Sequence, residues 1–247
     1  MLTKYLRLLS AFGDAFWILW IKFPKLSREQ KLVEIQMWSQ RTLDVLGIQV
    51  HHKAPQHPLK SSVTPLLLVA NHVSWVDALI IQSIQPSIFV AKSEVQQWPV
   101  IGSIATACGV IFVDRGSPSS ARRMVDDVSI ALHHGYCVAG FPEGTSSEGT
   151  SVNLFHANIF EAAINHHTHV QPIAIRYTNP QTGALCKKAA FIGEIGFVES
   201  LHQVMTSRGI VAKVHVGDML SPQGHSRRTL AHLSHRSVTS QLELLNA

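Results

Sequence analysis

Two hydrophobic periods divide the chain. Over residues 1–46 apolar positions recur at helical spacing, which predicts two helices joined at Pro24. The first carries an apolar run from Leu8 to Ile21, broken by Asp14 and flanked by Lys4, Arg7 and Lys22. The second opens at Ser27-Arg28-Glu29-Gln30, a capping-box pattern, sets Leu32, Ile35, Leu43 and Leu46 on one side, and stops at Gly47. Beyond Gly47 short apolar runs take over, at Pro65–Ala70, Ser87–Ala91, Gly109–Val113, Tyr136–Phe141, Val170–Tyr177, Ala189–Ile192 and Ile210–Val216. Between them lie helical stretches at Ser119–His134, Asn153–Asn165, Phe197–Arg208 and Arg227–Leu245, with a loop expected over Gln56–Pro65. Strands apolar at every position, alternating with helices, predict an α/β fold with a mainly parallel sheet flanked by helices. The chain thus divides into a two-helix N-terminal appendage, 1–46, and an α/β domain, 47–247.

Composition sharpens the picture of the appendage. Of 247 residues, 46% are hydrophobic and only 15% charged, against about 25% charged in an ordinary soluble domain. That excludes an intrinsically disordered chain. The formal charge is +5, and the whole excess lies in residues 1–60, with nine Lys and Arg against four acids. These bases alternate with Phe12, Phe16, Trp17, Trp20 and Phe23, as expected of a segment seated at a bilayer surface rather than on nucleic acid. A spanning helix needs about 20 apolar residues, and Asp14 at mid-bilayer would cost about 2.5–3.5 kcal/mol. Burial of the first helix against its own domain, or a signal peptide without a cleavage site, are the alternatives.

Ligands of open α/β sheets bind beyond the carboxyl ends of the strands. Four successive runs end in polar residues: Asn71-His72, Lys92, Asp114-Arg115 and Pro142-Glu143-Gly144-Thr145. A histidine, two cations and a carboxylate would share one cleft. Asp77, five residues past His72, is placed to hold one imidazole nitrogen while the other accepts a proton. The same residues also allow a purely local reading, because Ser74 to Asp77 has capping-box spacing and Asp77 could serve the helix start alone.

The segment Asn71-His72-x-x-x-x-Asp77 resembles the first motif of the glycerolipid and lysophospholipid acyltransferases. Gly109–Arg115 resembles their second motif, Phe141-Pro142-Glu143-Gly144-Thr145 their third, and Val170-Gln171-Pro172-Ile173-Ala174 their fourth, in family order. The resemblance implies transfer of a fatty acyl group from acyl-CoA or acyl carrier protein to a lysophospholipid hydroxyl. It makes His72 the general base and Asp77 its orienting partner. Asn71, Arg115, Glu143, Gly144 and Thr145 fall on the acceptor side, with Lys92 as a second phosphate ligand and Pro172 lining the acyl side. No cofactor is implied, since the acyl donor is a substrate. A membrane lipid is the expected partner, at the cytoplasmic face of the inner membrane in a bacterium. The leading acceptor is 1-acyl-sn-glycerol 3-phosphate, giving phosphatidic acid. Ser146 stands where members acting on that acceptor commonly carry Arg, as in the subgroup that includes lyso-ornithine lipid acyltransferases, which keeps that acceptor as an alternative. A membrane-associated lipid-binding protein without turnover is the non-enzymatic alternative.

Other signals carry less. Fifteen histidines include three adjacent pairs, yet none has metal-ligand spacing, and no metal is expected. Glycine signatures of nucleotide, dinucleotide and serine-hydrolase sites are missing, and Cys108, Cys137 and Cys186 suit neither a disulfide framework nor a zinc site.

Overall fold

The computed structural model describes residues 2–53, 65–114 and 116–245. The loop expected over Gln56–Pro65 falls almost wholly outside them, as does Arg115. Helix α1 (Leu2–Trp17) runs on through a π-turn, Ile18–Lys22, and a 3₁₀ turn, Phe23–Lys25, to a bend at Pro24. Helix α2 (Arg28–Leu46) begins with the predicted capping box: Ser27 Oγ accepts from Gln30 N–H, and Gln30 Oε1 accepts from Ser27 N–H. It ends where Gly47 adopts φ +78°, a left-handed conformation that an L side chain resists.

Seven strands form one sheet: β1 (Ile48–Lys53), β2 (Leu67–Ala70), β3 (Ile88–Lys92), β4 (Ile111–Val113), β5 (Val138–Gly140), β6 (Val170–Thr178) and β7 (Ile210–Val216). Their spatial order is β1-β7-β6-β2-β5-β3-β4, and every neighbouring pair is parallel except β6 with β7. The remaining helices are α3 (Val76–Ile84), α4 (Ile101–Ala107), α5 (Pro118–His133), α6 (Asn158–Asn165), α7 (Phe197–Met205) and α8 (Arg227–Leu244).

The continuous apolar runs follow from burial on both faces. In the β2 segment Leu66, Leu68 and Ala70 enter the core shared with α1, α2, α3 and α7, while Leu67 and Val69 enter the one under α5, α6 and α8. All five are at most 1% exposed. Alternate side chains thus serve opposite cores, so no position in β2 can be polar.

Two expectations are corrected and two elements are added. Ala189–Ile192 is not a strand: a 3₁₀ turn covers Lys187–Ala189, and Phe191 N–H donates to Val73 O, in the loop after β2, at 2.8 Å. The helix expected from Asn153 begins only at Asn158. Strand β1 and helix α4 were not foreseen, the first because His51, His52 and Lys53 break its apolar character.

The N-terminal helices belong to the same core as the sheet, through Leu8, Leu43 and Leu46. Helix α1 nevertheless has two apolar stripes. Leu8, Ala11, Ala15 and Ile18 are buried, whereas Leu2, Leu6, Leu9, Phe16 and Trp20 are exposed. The stripes are displaced by two residues, about 200° around a helix, so they lie on opposite faces. Burial against the domain and an apolar outer surface therefore both hold. Among the described residues no helix is long and apolar enough to cross a membrane.

Candidate active site

Strands β2, β5, β3 and β4 are neighbours and run in one direction, so the residues at their carboxyl ends meet at one rim. His72, Lys92, Asp114, Glu143, Gly144 and Thr145 line a single cavity of about 1140 Å³, just above the roughly 300–1,000 Å³ usual for small-molecule sites. The four strand ends singled out in the sequence thus converge. The loop leaving β2 turns His72 back toward the first turn of α3. There the imidazole Nδ1 lies 2.8 Å from Asp77 Oδ2. Asp77 is fully buried, and its Oδ2 also accepts from Val73 N–H at 2.7 Å and Ser74 N–H at 2.9 Å. Orienting the histidine and stapling the helix start are therefore one arrangement, since a single oxygen does both. With Nδ1–H spent on Asp77, Nε2 holds the ring's lone pair. The ring stacks on Phe141, with centroids 4.1 Å apart.

The second oxygen of Asp77 has a partner that the sequence reading missed. Tyr177 O–H donates to Oδ1 at 2.5 Å. Strand β6 has nine residues against four in β2, and pairing ends at Ala70 opposite Ile173. The overhang of β6, held by β7, stands beside the loop carrying His72. Tyr177 was visible as the last apolar residue of a predicted strand, but only the register places it under Asp77.

Two expected substrate ligands are engaged by the protein's own backbone. Asn71 is fully buried, donates to Ile175 O at 2.9 Å and accepts from Ile175 N–H at 2.8 Å, so its amide ties the β2 loop to the β6 overhang. Glu143 lines the cavity, but each carboxylate oxygen accepts a backbone N–H: Oε1 from His72 at 2.7 Å and Oε2 from Asn153 at 2.8 Å. Its place is set by a turn in which Gly144, at φ +69°, returns its N–H to Phe141 O. Burial pushes the Glu143 carboxyl above its ordinary range despite those two donors. On the other side of His72, its carbonyl accepts from Ser147 N–H at 2.8 Å, which fixes the histidine backbone at both ends. Ser146 Oγ donates to Phe191 O, and Glu148 pairs with exposed Lys187 at 3.1 Å. Pro172 lies within β6 opposite Val69 and does not line the cavity.

Away from this polar end the walls are apolar. Leu8, Phe12 and Ile18 of the α1 segment face Ile35 and Trp38 of α2, and the opposite side carries Trp75, Trp98 and Phe197. Trp98 lies edge-on to Phe191 and 5.0 Å from Phe197. Trp38 Nε1–H donates to Ala11 O, and Lys22 pairs with Glu34 at 2.6 Å, so α2 holds the α1 wall in place. Cys108 also lines the cavity, and burial pushes its thiol up to about 11. It stays protonated near neutrality and offers no thiolate to carry an acyl group. Among the described residues no cluster of three or more His, Cys, Asp or Glu is placed to hold a metal ion.

An imidazole anchored by one nitrogen on a buried carboxylate thus stands at the polar end of an otherwise apolar cavity. Residues 47–176 match the model of the Acyltransferase family, and the chain belongs to that family. A lyso-ornithine lipid O-acyltransferase from Pseudomonas aeruginosa is 34% identical over 194 residues, covering 77% of this chain and 70% of that one. A 1-acyl-sn-glycerol-3-phosphate acyltransferase from Neisseria gonorrhoeae is 30% identical over 191 residues, covering 77% and 71%. In fold, the chain is similar to the crystal structure of the 1-acyl-sn-glycerophosphate acyltransferase PlsC from Thermotoga maritima. The TM-score is 0.66, at 19% identity over 99% of this chain and 98% of that one.

The Glu143 geometry has a measurable consequence. Glu143→Gln places an NH₂ group against one of the two backbone N–H donors, and urea denaturation is expected to show a loss of about 1–3 kcal/mol. Because the native carboxyl titrates above its unfolded range, its contribution to stability is complete at low pH and declines as pH rises through the raised native value. That decline is expected to vanish in the variant when urea midpoints are compared across a pH series.

Proposed function

We propose that the protein transfers a fatty acyl group from a thioester to the free hydroxyl of a lysolipid, with His72 as general base and Asp77 as its orienting partner. The observation that carries this reading is the His72 Nδ1 to Asp77 Oδ2 bond at the polar end of an apolar cavity. In the reaction Nε2 takes the proton of the acceptor hydroxyl as its oxygen attacks the thioester carbonyl. That attack forms the new C–O bond and a tetrahedral adduct; as the adduct collapses the carbonyl re-forms, the C–S bond breaks, and the imidazolium returns the proton to the leaving sulfur. A thioester is already activated, so no acyl-enzyme is required. Asp77, buried and bonded to two backbone N–H groups, stays in place to balance the imidazolium charge. Glu143 and Asn71 act by holding the loop that carries His72, Gly144 and Thr145 shape the acceptor side, and Lys92 and Arg115 meet its anionic group. Acyl-CoA or acyl carrier protein is the donor.

The leading acceptor is 1-acyl-sn-glycerol 3-phosphate. A second reading, lyso-ornithine lipid, is favoured by one local observation: Ser146 follows the Glu-Gly-Thr turn, its hydroxyl is spent on Phe191 O, and the next charge, Glu148, is acidic and paired. The described cation in that corner, Lys187, is already paired with Glu148. Residues 1–46 form the membrane-seated part and 47–247 the acyltransferase domain. The outer stripe of α1 supports this seating, because contiguous exposed apolar surface on a folded domain marks a partner or a lipid surface.

His72→Ala is expected to lower the rate of thiol release from acyl-CoA by about 10²–10⁴-fold while circular dichroism and melting stay near wild type. A rate within a few-fold of wild type would refute the base assignment. Offered side by side, 1-acylglycerol 3-phosphate and lyso-ornithine lipid are expected to differ in kcat/KM, and acylation of the ornithine lipid alone would decide for the second reading. Leu9→Glu with Trp20→Glu places charge on the outer stripe without touching the inner one. Sedimentation with anionic liposomes is expected to fall at least tenfold, with the melting temperature unchanged.

A further inference from the structure

We infer that Tyr177 is a positioning residue for His72, acting through Asp77: its hydroxyl fixes the far oxygen of the carboxylate and so sets both the direction and the strength of the grip on the imidazole. The inference rests on the reading of His72 as base and extends it to a residue outside the loop that carries the motif. Three observations support it. The hydroxyl lies 2.5 Å from Asp77 Oδ1, whereas His72, Val73 and Ser74 all share Oδ2. Without Tyr177 the carboxylate would be anchored through one oxygen only and free to pivot about it. Tyr177 is 1% exposed and held by the paired β6 overhang, so its oxygen is as fixed as the sheet. Burial and the Asp77 charge keep the phenol protonated well above its ordinary range, which makes it a permanent donor.

The electrostatic sign follows from the charge on Asp77. A donor on Oδ1 draws negative charge away from Oδ2 and weakens the hold on the imidazolium. Removing it concentrates the charge opposite Nδ1 and raises the proton affinity of His72. The titratable groups facing His72 directly are Asp77 and Glu143. From the other walls Lys92, Glu94, Cys108, Asp114, His156 and Glu34 share the cavity. Tyr177 bonds none of these but Asp77, so replacing it addresses one interaction.

Tyr177→Phe keeps the ring and removes the O–H. The first readout is the imidazole titration of His72 in ¹⁵N-histidine-labelled full-length enzyme, assigned by the signal lost in His72→Ala. It is expected to move up by roughly half a unit to one unit. In acyl transfer from palmitoyl-CoA to 1-acylglycerol 3-phosphate and to lyso-ornithine lipid, kcat is expected to fall about tenfold with the KM for palmitoyl-CoA within about twofold. Tyr177→3-fluorotyrosine keeps the hydroxyl and makes it a stronger donor. It covers the case in which Tyr177→Phe does not fold, and is expected to move the titration down. An unmoved titration in the folded variants overturns the inference, because a merely structural role changes the amount of native enzyme and not the proton affinity of one ring. Inactivity of the wild type toward both acceptors would instead overturn the function proposed above, and the titration would still decide the role of Tyr177.

Discussion

The Asp77 carboxylate is the point at which the site and the fold are joined. It is fully buried and accepts from His72, from two backbone N–H groups of the loop after β2, and from Tyr177 on β6. A buried charge survives only with its hydrogen bonds made. Every donor here comes from an element that has to be in its native place, so the carboxylate enforces the loop geometry and the loop geometry solvates the carboxylate. The same economy governs Glu143, whose two oxygens accept from the His72 and Asn153 backbones. One acid holds the imidazole and the other holds the chain that bears it.

Around this polar knot the molecule is built to be apolar. The central strand is buried on both faces, residues of α1 and α2 and the aromatic residues near Trp98 contribute apolar wall to the cavity, and Cys108 in that lining is held protonated.

Much of this could be read in the sequence, for definite reasons. The β2, β5 and β6 runs were legible because burial on two faces leaves no room for a polar residue. The convergence of His72, Lys92 and Glu143 was legible because parallel strands bring their carboxyl ends to one rim, where Asp114 marks the fourth strand end and Arg115 lies outside the described residues. Register was not legible, and it decided the rest. Asn71 looked like a ligand because it precedes His72, but the length of β6 turns its amide to Ile175. Glu143 looked like a group facing substrate, but its partners lie 71 and 10 residues away on the chain. Tyr177 carried no signal beyond that of a strand residue. Helix α4 was missed because its seven residues begin after Val100, whose φ of +67° no propensity rule anticipates.

The reversal of direction between β6 and β7 has a consequence of its own. Strand β1 follows β7, so both point away from the rim that β2 to β6 address. The sheet is therefore two-headed: five strands run toward the rim that holds the cavity, and two run toward the far side. Chain length can vary beyond the end of β7 without lengthening any loop that borders the cavity, whereas one residue added after β2 or β5 would displace the imidazole or its clamp.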